Sequence, residues 1–270
     1  MSVILCRKEQ VKHPFFMESL GVHIYTSQEM CYAMYHHPLL VLDGFLDQNF
    51  VDFVRDELDM GFTALKMERF MKRGENPDEL VFLFMQECGY YTTAELNRLR
   101  QKIAAYRKLP APEYARQKAD YLFSLRQYGK AMDGYEKILE DAENKKADDG
   151  FLGAIWYNLG ACRARVFQFA GAMEAFDRAY GKLKSLSVLE AMYHVTRMDP
   201  SLTLKERYQS LVTEEQKAAW DADFEKAGEA AACSEAARRL EDLFGRDPIR
   251  RQEGIRQQVE EWKQEYRAMA

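Results

Sequence analysis

Glycine, proline and long apolar runs are all scarce in this sequence. The 270 residues include 15 glycines and 7 prolines, about 8% of the chain against an ordinary value of about 12%. The apolar stretch at residues 38–42 ends at Asp43, far short of the roughly 20 residues that a membrane-spanning helix needs. These shortages exclude collagen-like, low-complexity and membrane-spanning chains, and they favour long helices joined by few turns.

Cysteine is also sparse, with an odd number of residues and no pair at metal-binding spacing. Such a pattern resembles neither a disulfide framework nor a zinc ribbon. It is typical of small buried hydrophobes in a reducing compartment. The few residues before Cys6 lack the basic start and the apolar length of an export signal. We therefore expect a cytoplasmic protein without metal or cofactor. The five cysteines are Cys6, Cys31, Cys88, Cys162 and Cys233.

The charge balance argues against a dedicated nucleic-acid binder. There are 38 basic and 43 acidic residues, a formal charge of −5, whereas phosphate contacts normally come with a basic surface. One local alternative stays open, because the turn at residues 88–93 separates two predicted helices in the manner of a helix-turn-helix. The second of these carries Arg98, Arg100, Lys102, Arg107 and Lys108. The competing interpretation is a solvated basic face opposite a buried face of Leu96, Leu99, Ile103 and Tyr106.

The N-terminal region is predicted to be mainly helical with a small β element. Residues 3–6 and 21–26 are β-prone and predict a hairpin. Capping boxes at Thr26 and Thr92 open two helices, each with a glutamate three residues later. The predicted helices span about residues 26–36, 47–59 (ended by Gly61), 62–72, 77–88 (with a central apolar run at 80–85) and 92–108. Residues 109–112, Leu-Pro-Ala-Pro, mark a domain boundary.

An internal repeat follows that boundary. Residues 128–137 align with residues 169–178 at a constant offset of 41, so that aromatic, alanine, methionine, acidic and basic positions coincide. The same offset carries Ala119 onto Gly160. This pattern is typical of antiparallel helix pairs that pack closely through a small residue on one helix and an aromatic residue on the next.

The second copy, residues 153–184, resembles the tetratricopeptide repeat (TPR). It has the W-x-x-L-G start of that family, an aromatic at the turn, and small and aromatic residues on the second helix. The first copy, residues 112–143, is similar but has Ala115, Lys118 and Ile138 at three signature positions. The usual period of the family is about 34 residues, and the seven extra residues of the 41-residue period are assigned to the polar stretch at 143–150. The signature residues are Ala119, Tyr128, Ala131 and Tyr135 in the first copy, and Trp156, Leu159, Gly160, Phe169, Ala172, Phe176 and Ala179 in the second.

The resemblance also implies the rest of the architecture. A third helix pair is expected at residues 187–198 and 202–212, because two pairs leave apolar faces uncovered. Helices after the cap at Thr213 would close the array, the last with Ile255, Val259, Trp262 and Tyr266 on one face. The predicted fold is thus mainly α: an N-terminal helical domain (1–109), a short TPR-like α-solenoid (110–212) and C-terminal capping helices (213–270).

The resemblance implies a binding groove lined by the first helix of each pair. Asn158 would bond a peptide backbone, and Arg116 and Arg165 would hold a carboxylate. Ala161 and Asp120 depart from the pattern by which some members clamp a C-terminal carboxylate. In the alternative, the protein's own terminal helices fill the groove. The implied groove residues are Glu113, Arg116, Gln117 and Asp120 from the first copy, and Tyr157, Asn158, Ala161 and Arg165 from the second.

No catalytic motif accompanies the repeat. The sequence has no phosphate-binding glycine loop, no nucleophile elbow and no metalloprotease helix motif. The sequence therefore favours a non-enzymatic adaptor or scaffold that binds another protein or peptide. The alternative is a peptide-sensing regulator whose N-terminal domain binds DNA or a partner.

Overall fold

The protein is mainly α-helical, as the sequence predicts. The computed structural model describes residues 9–269 except 43, 45, 75, 145, 146 and 246. Two compact units, Met1–Tyr114 and Ala115–Ala270, divide the chain; the domain limits drawn from the sequence stay a prediction. The described residues form strands β1 (Phe15–Met17) and β2 (Val22–Ile24) and helices α1 (Ser27–His36), α2 (Pro38–Val41), α3 (Gln48–Asp56), α4 (Gly61–Lys72), α5 (Asp78–Cys88), α6 (Thr93–Arg107), α7 (Ala111–Ser124), α8 (Tyr128–Asn144), α9 (Asp149–Arg165), α10 (Phe169–Leu183), α11 (Leu186–Met198), α12 (Glu206–Gln209), α13 (Glu214–Ala232), α14 (Glu235–Phe244) and α15 (Pro248–Met269).

The first unit opens with a small antiparallel hairpin. β1 pairs with β2 so that Phe15 faces Ile24 and Met17 faces Val22. The turn between them contains Gly21 at φ +69°, a left-handed conformation that favours glycine. The predicted strand within residues 21–26 is therefore confirmed, and its partner is β1. The other predicted run, residues 3–6, lies outside the described residues.

The helices of the first unit begin and end largely where the sequence predicts. The Thr92 hydroxyl accepts from the backbone N–H of Glu95, and the Glu95 carboxylate accepts in return, so the second capping box is confirmed. Gly89 ends α5 at φ +71°. The predicted role of Gly61 is wrong, since it begins α4 instead of ending α3. The chain turns earlier, at Asp59, which has φ +53°.

The apolar run of α5 lies at the centre of the first unit's core. Leu80, Val81, Phe82, Phe84 and Met85 are each at most 2% exposed. The ring of Phe84 meets that of Phe50 edge-on at 5.3 Å between centroids. A helix that is apolar on nearly all sides has to be surrounded by others, which confirms the central position predicted for residues 80–85.

Apart from the first turn of α7, which belongs to the first unit, the second unit contains two antiparallel helix pairs, α7–α8 and α9–α10. In the second pair, Lys182 near the end of α10 reaches Asp149 at the start of α9. At the other end of the pair, the guanidinium of Arg163 donates to the carbonyl of Gly171 at 3.1 Å. The same arginine binds Glu136 of α8 at 2.9 Å. Arg163 thereby ties the second pair to the first.

The 41-residue period recurs in the backbone as well as in the sequence. Arg126 and Phe167 both adopt a left-handed conformation, at φ +59° and +62°. The N–H of Gln127 donates to the Leu122 carbonyl at 3.0 Å, and its counterpart Gln168 donates to Arg163 at 2.9 Å. Each α7-to-α8 and α9-to-α10 turn therefore closes with the same helix-ending motif, one period apart.

The chain beyond α10 follows the expected third pair only in part. α11 matches the predicted helix at residues 187–198, but the predicted helix at 202–212 is wrong, because only Glu206–Gln209 is helical there. Pro200 and the turn after Asp199 delay the helix. α13 starts at the predicted cap, where Thr213 and Gln216 form a capping box. Within the described ranges, no helix is long and apolar enough to cross a bilayer.

Candidate binding site on the second unit

The first helices of the two pairs, α7 and α9, lie side by side and contact each other through polar groups. The amide nitrogen of Asn158 on α9 donates to the Asp120 carboxylate on α7 at 2.9 Å. Two residues that the sequence assigns to the groove are therefore brought together. They bind one another, and the Asn158 side chain also hydrogen-bonds that of Tyr135, so its amide is engaged within the protein.

Tyr135 of α8 is the third member of this polar group and binds Asp120 from the buried side. Its hydroxyl donates to the same Asp120 oxygen at 2.5 Å, and the side chain is 1% exposed. Burial raises the pKa of Tyr135, and the hydrogen bond to the Asp120 carboxylate raises it further. Tyr135 is therefore a permanent donor at neutral pH that fixes the orientation of Asp120.

The nearby thiol of Cys162 is chemically quiet. Burial raises its pKa to about 12, and the Asp120 charge adds to this. Because the thiolate is the reactive form, Cys162 packs as a small hydrophobe. Cys31 and Cys88 are also buried, whereas Cys233 is exposed, contrary to the expectation of burial for every cysteine. Cys6 lies outside the described residues.

The two arginines of the predicted groove differ in their surroundings. Arg116 lies 3.6 Å from Asp120, one helical turn away on α7. Arg165, at the end of α9, is exposed. Arg116 is therefore partly neutralised within the protein, and Arg165 is the cation of this site that is directed to solvent.

The remaining predicted groove residues are partly exposed. The ring of Tyr157 packs at 5.5 Å from that of Phe176, and Gln117 and Ala161 are half-buried on α7 and α9. Glu113 lies in the first turn of α7, in the first unit, and so falls outside the candidate site on the second unit. That site is consequently a short surface of mixed polarity with a small residue, Ala161, near its middle.

The repeat signature residues form the packing layer beneath this surface. A β-carbon on Gly160 would lie 2.7 Å from the ring of Phe176, so no side chain fits between α9 and α10 at that point. In the first pair the corresponding contact joins Ala119 and Gly134, at 3.1 Å from an added β-carbon. Of the signature positions, Ala119, Tyr128, Ala131, Tyr135, Trp156, Leu159, Gly160, Ala172, Phe176 and Ala179 are buried, and Phe169 is half-buried.

The role of Tyr135 was not predicted from the sequence, although the repeat contains a signal for it. At the 41-residue offset, Tyr135 corresponds to Phe176, and Asp120 corresponds to Ala161. The first copy therefore has a hydroxyl and a carboxylate where the second has two apolar groups. A buried tyrosine hydroxyl normally finds a partner, so this paired difference indicates the contact.

Two basic residues of α6 form ion pairs within the first unit. Arg100 binds Glu79 at 2.8 Å. Arg107 donates to both oxygens of Asp78, at 2.7 and 3.0 Å, and to the carbonyl of Leu42. Leu96, Leu99 and Ile103 are buried, as the solvated-face interpretation of α6 predicts. Arg100 and Arg107 are thus engaged within the first unit, whereas a recognition helix presents its basic residues to DNA.

A second polar cluster joins α10 to α12. The Asp177 carboxylate accepts from the hydroxyl of Tyr208 at 2.5 Å and from Lys205 at 3.0 Å, and it also binds Arg207. Burial alone would raise the pKa of Asp177, but these hydrogen bonds outweigh it and lower the pKa to about 2. The cluster ties the short helix α12 to the second helix pair.

This cluster predicts a specific acid sensitivity. Because the folded-state pKa lies below the ordinary value of 3.8, the Asp177 carboxylate stabilises the fold above about pH 4. That stabilisation is lost as the pH falls through about 2. We expect Asp177→Asn to lower the free energy of unfolding at pH 7 by about 1–2 kcal/mol and to flatten its decline between pH 4 and 2. Urea unfolding at a series of pH values measures both, with Asp133→Asn, an exposed carboxylate on α8, as the control that leaves the profile unchanged.

Comparison with known proteins adds no relative. No protein-family model, curated protein or solved structure matches this chain. Among the described residues, no three of His, Cys, Asp and Glu are grouped so as to hold a metal ion. The candidate site is therefore defined by the geometry of the second unit alone.

Proposed function

We propose that the chain is a non-enzymatic adaptor of the TPR type, which binds a peptide or helix of another protein on the surface of α7 and α9 in the cytoplasm. The observation that carries the proposal is the 41-residue period, present both in the sequence and in the paired helix-ending turns. Two like helix pairs, packed through small residues, form a rigid surface. A preformed surface loses little ordering entropy when it binds.

The chemistry of the surface favours a partner with both apolar and acidic groups. Tyr157 provides an aromatic ring, and Ala161 allows close approach of a partner backbone. Arg165 provides an exposed charge for a carboxylate, to which a guanidinium donates two parallel hydrogen bonds. Asn158, held by Asp120, adds a polar amide to the surface. An amphipathic helix with an acidic flank combines these features.

The proposal is tested by quantitative capture of partners on the full-length chain. Ala161→Trp fills the middle of the surface, and Arg165→Glu reverses its exposed charge. We expect each substitution to reduce the yield of specifically captured partners by about tenfold, which corresponds to about 1.4 kcal/mol of binding free energy.

The matched control is Lys137→Glu, which makes the same charge change at an exposed position of α8. We expect it to capture the same partners at the yield of the wild type. Equal yields from all four proteins, each folded by circular dichroism, would show that the surface of α7 and α9 is not the binding site.

A further inference from the structure

The C-terminal helix α15 has an apolar stripe that is only half covered. Ile255, Val259, Trp262 and Tyr266 recur at spacings of four, three and four residues and so share one face of the helix. Their exposures are 37%, 37%, 46% and 41%. Mostly polar residues cover the rest of α15. A core helix would bury such a stripe fully, and a solvated helix would not have one.

The end of α15 reaches the candidate binding site. The hydroxyl of Tyr266 donates to the carbonyl of Val166 at 3.5 Å, across 100 residues of sequence. Val166 is the residue that caps α9, directly after Arg165. The last carbonyls of a helix lack partners within that helix, so Tyr266 satisfies a group that α9 itself leaves open. The stripe of α15 thus ends beside the exposed cation of the site.

The other end of α15 is attached to α14. The backbone at Gly254 approaches Leu243 so closely that a β-carbon there would collide with the leucine side chain. The helix therefore extends from α14 to the end of α9. From Gly254 to Tyr266 this distance is about 18 Å at the usual helical rise.

The helices that present α15 are weakly anchored. Among the described residues from 213 to 269, only Trp220 and Leu243 are classed among the buried apolar residues. Segments with few buried apolar contacts open at low free energy. The contact at Val166 is itself a single hydrogen bond near the distance limit for such a bond. α15 can therefore detach from the end of α9 without unfolding the helix pairs.

An exposed aromatic residue lies next to the contact between Tyr266 and Val166. Phe167 follows Val166, is 70% exposed and adopts φ +62°, which is costly for a bulky side chain. Its ring contacts that of Phe169 at 6.1 Å. An incoming apolar side chain would thus find an exposed ring next to the carbonyl that Tyr266 binds.

We propose that α15 is an internal competitor for the α7 and α9 surface, displaced when an amphipathic helix of a partner with the same apolar spacing binds there. This inference rests on the proposed function and names its regulation. In the free protein a helix of this chain, α15, already reaches the end of α9 at Val166, which is why we assign a helical partner. A tethered competitor reduces the apparent affinity for that partner by the fraction of time that the surface is open.

The test uses a labelled synthetic peptide of residues 248–269 as the probe and the full-length chain as the receptor. In the detached variant, Trp262→Asp/Tyr266→Asp, the tethered helix should no longer compete. Fluorescence anisotropy should then give binding about tenfold tighter than to the wild type. A peptide with the same two substitutions should not bind.

The matched control is Gln257→Asp/Gln264→Asp, which adds the same charge on the opposite, exposed face of α15; it should bind the peptide as weakly as the wild type. A milder variant, Tyr266→Phe, removes only the hydroxyl that reaches Val166 and should tighten binding by about threefold. Tyr266→Phe replaces the detached variant in this test if the detached variant fails to fold. Equal peptide affinity in wild type, Tyr266→Phe and the detached variant, or no binding to any of them, would overturn the proposal.

One further substitution separates this proposal from the proposed function. Ala161→Trp in the detached variant should weaken peptide binding. If it does not, α15 sits elsewhere and competition is excluded, while partner capture still tests the adaptor function independently.

Discussion

Replacing Gly160 by leucine is expected to destabilise the second unit by about 2 kcal/mol or more. A β-carbon at position 160 would lie 2.7 Å from two ring carbons of Phe176 and 3.1 Å from a third, and leucine adds three more carbons. Overpacking of this kind costs about 3 kcal/mol. Leucine has a better helix propensity than glycine, which offsets somewhat less than about 1 kcal/mol of this cost. Most of the reduction in the free energy of unfolding therefore remains.

Urea unfolding followed by tryptophan fluorescence measures this loss, because Trp156, Trp220 and Trp262 all lie in the second unit. The matched control is Gly181→Ala on α10, where an added β-carbon has no atom within 4 Å. It should stabilise the protein by up to about 1 kcal/mol. If Gly160→Leu leaves the unfolding midpoint unchanged, then α9 and α10 do not pack through this glycine.

Removing the Asp120 carboxylate is expected to have an effect nearly as large. Asp120→Ala leaves the buried hydroxyl of Tyr135 without its acceptor and also removes the partner of Asn158. A buried polar group without a partner costs about 1–3 kcal/mol. We expect a loss of stability in that range, together with weaker partner binding, because Asn158 loses the group that orients it.

A double-mutant cycle isolates the contact between Tyr135 and Asp120. The double variant Tyr135→Phe/Asp120→Ala reproduces the Phe176 and Ala161 pair of the second copy. Because both polar groups are then absent, it should recover about 1 kcal/mol or more relative to Asp120→Ala alone. Additive effects of the two substitutions in urea unfolding would contradict the hydrogen bond between them.

The parts of the fold that the sequence predicts are those set by local chemistry and strong periodicity. The Thr92 and Thr213 capping boxes depend on residues three positions apart, and both are found. The close approach at Gly160 is visible in the sequence because a glycine inside a helix has a cost that only packing offsets. The 41-residue period then locates its counterpart, Ala119.

The parts that the sequence does not predict depend on contacts between distant residues. β2 pairs with β1, a strand of only three residues, too short to show an alternating pattern of its own. Gly61 begins a helix because Asp59 already reverses the chain. In the candidate site, Asn158 was expected to face a ligand, and its bond to Asp120 depends on the packing of α7 against α9.

Site-specific photo-cross-linking tests the central claim, that partners bind on the surface of α7 and α9. A photoreactive phenylalanine analogue replaces Tyr157, the aromatic residue of the surface, or is placed at position 181, which is exposed on α10. The account predicts that the captured partner cross-links from position 157 and not from position 181, and that the detached variant increases the yield. Cross-linking from position 181 alone, or equally from both positions, would contradict it.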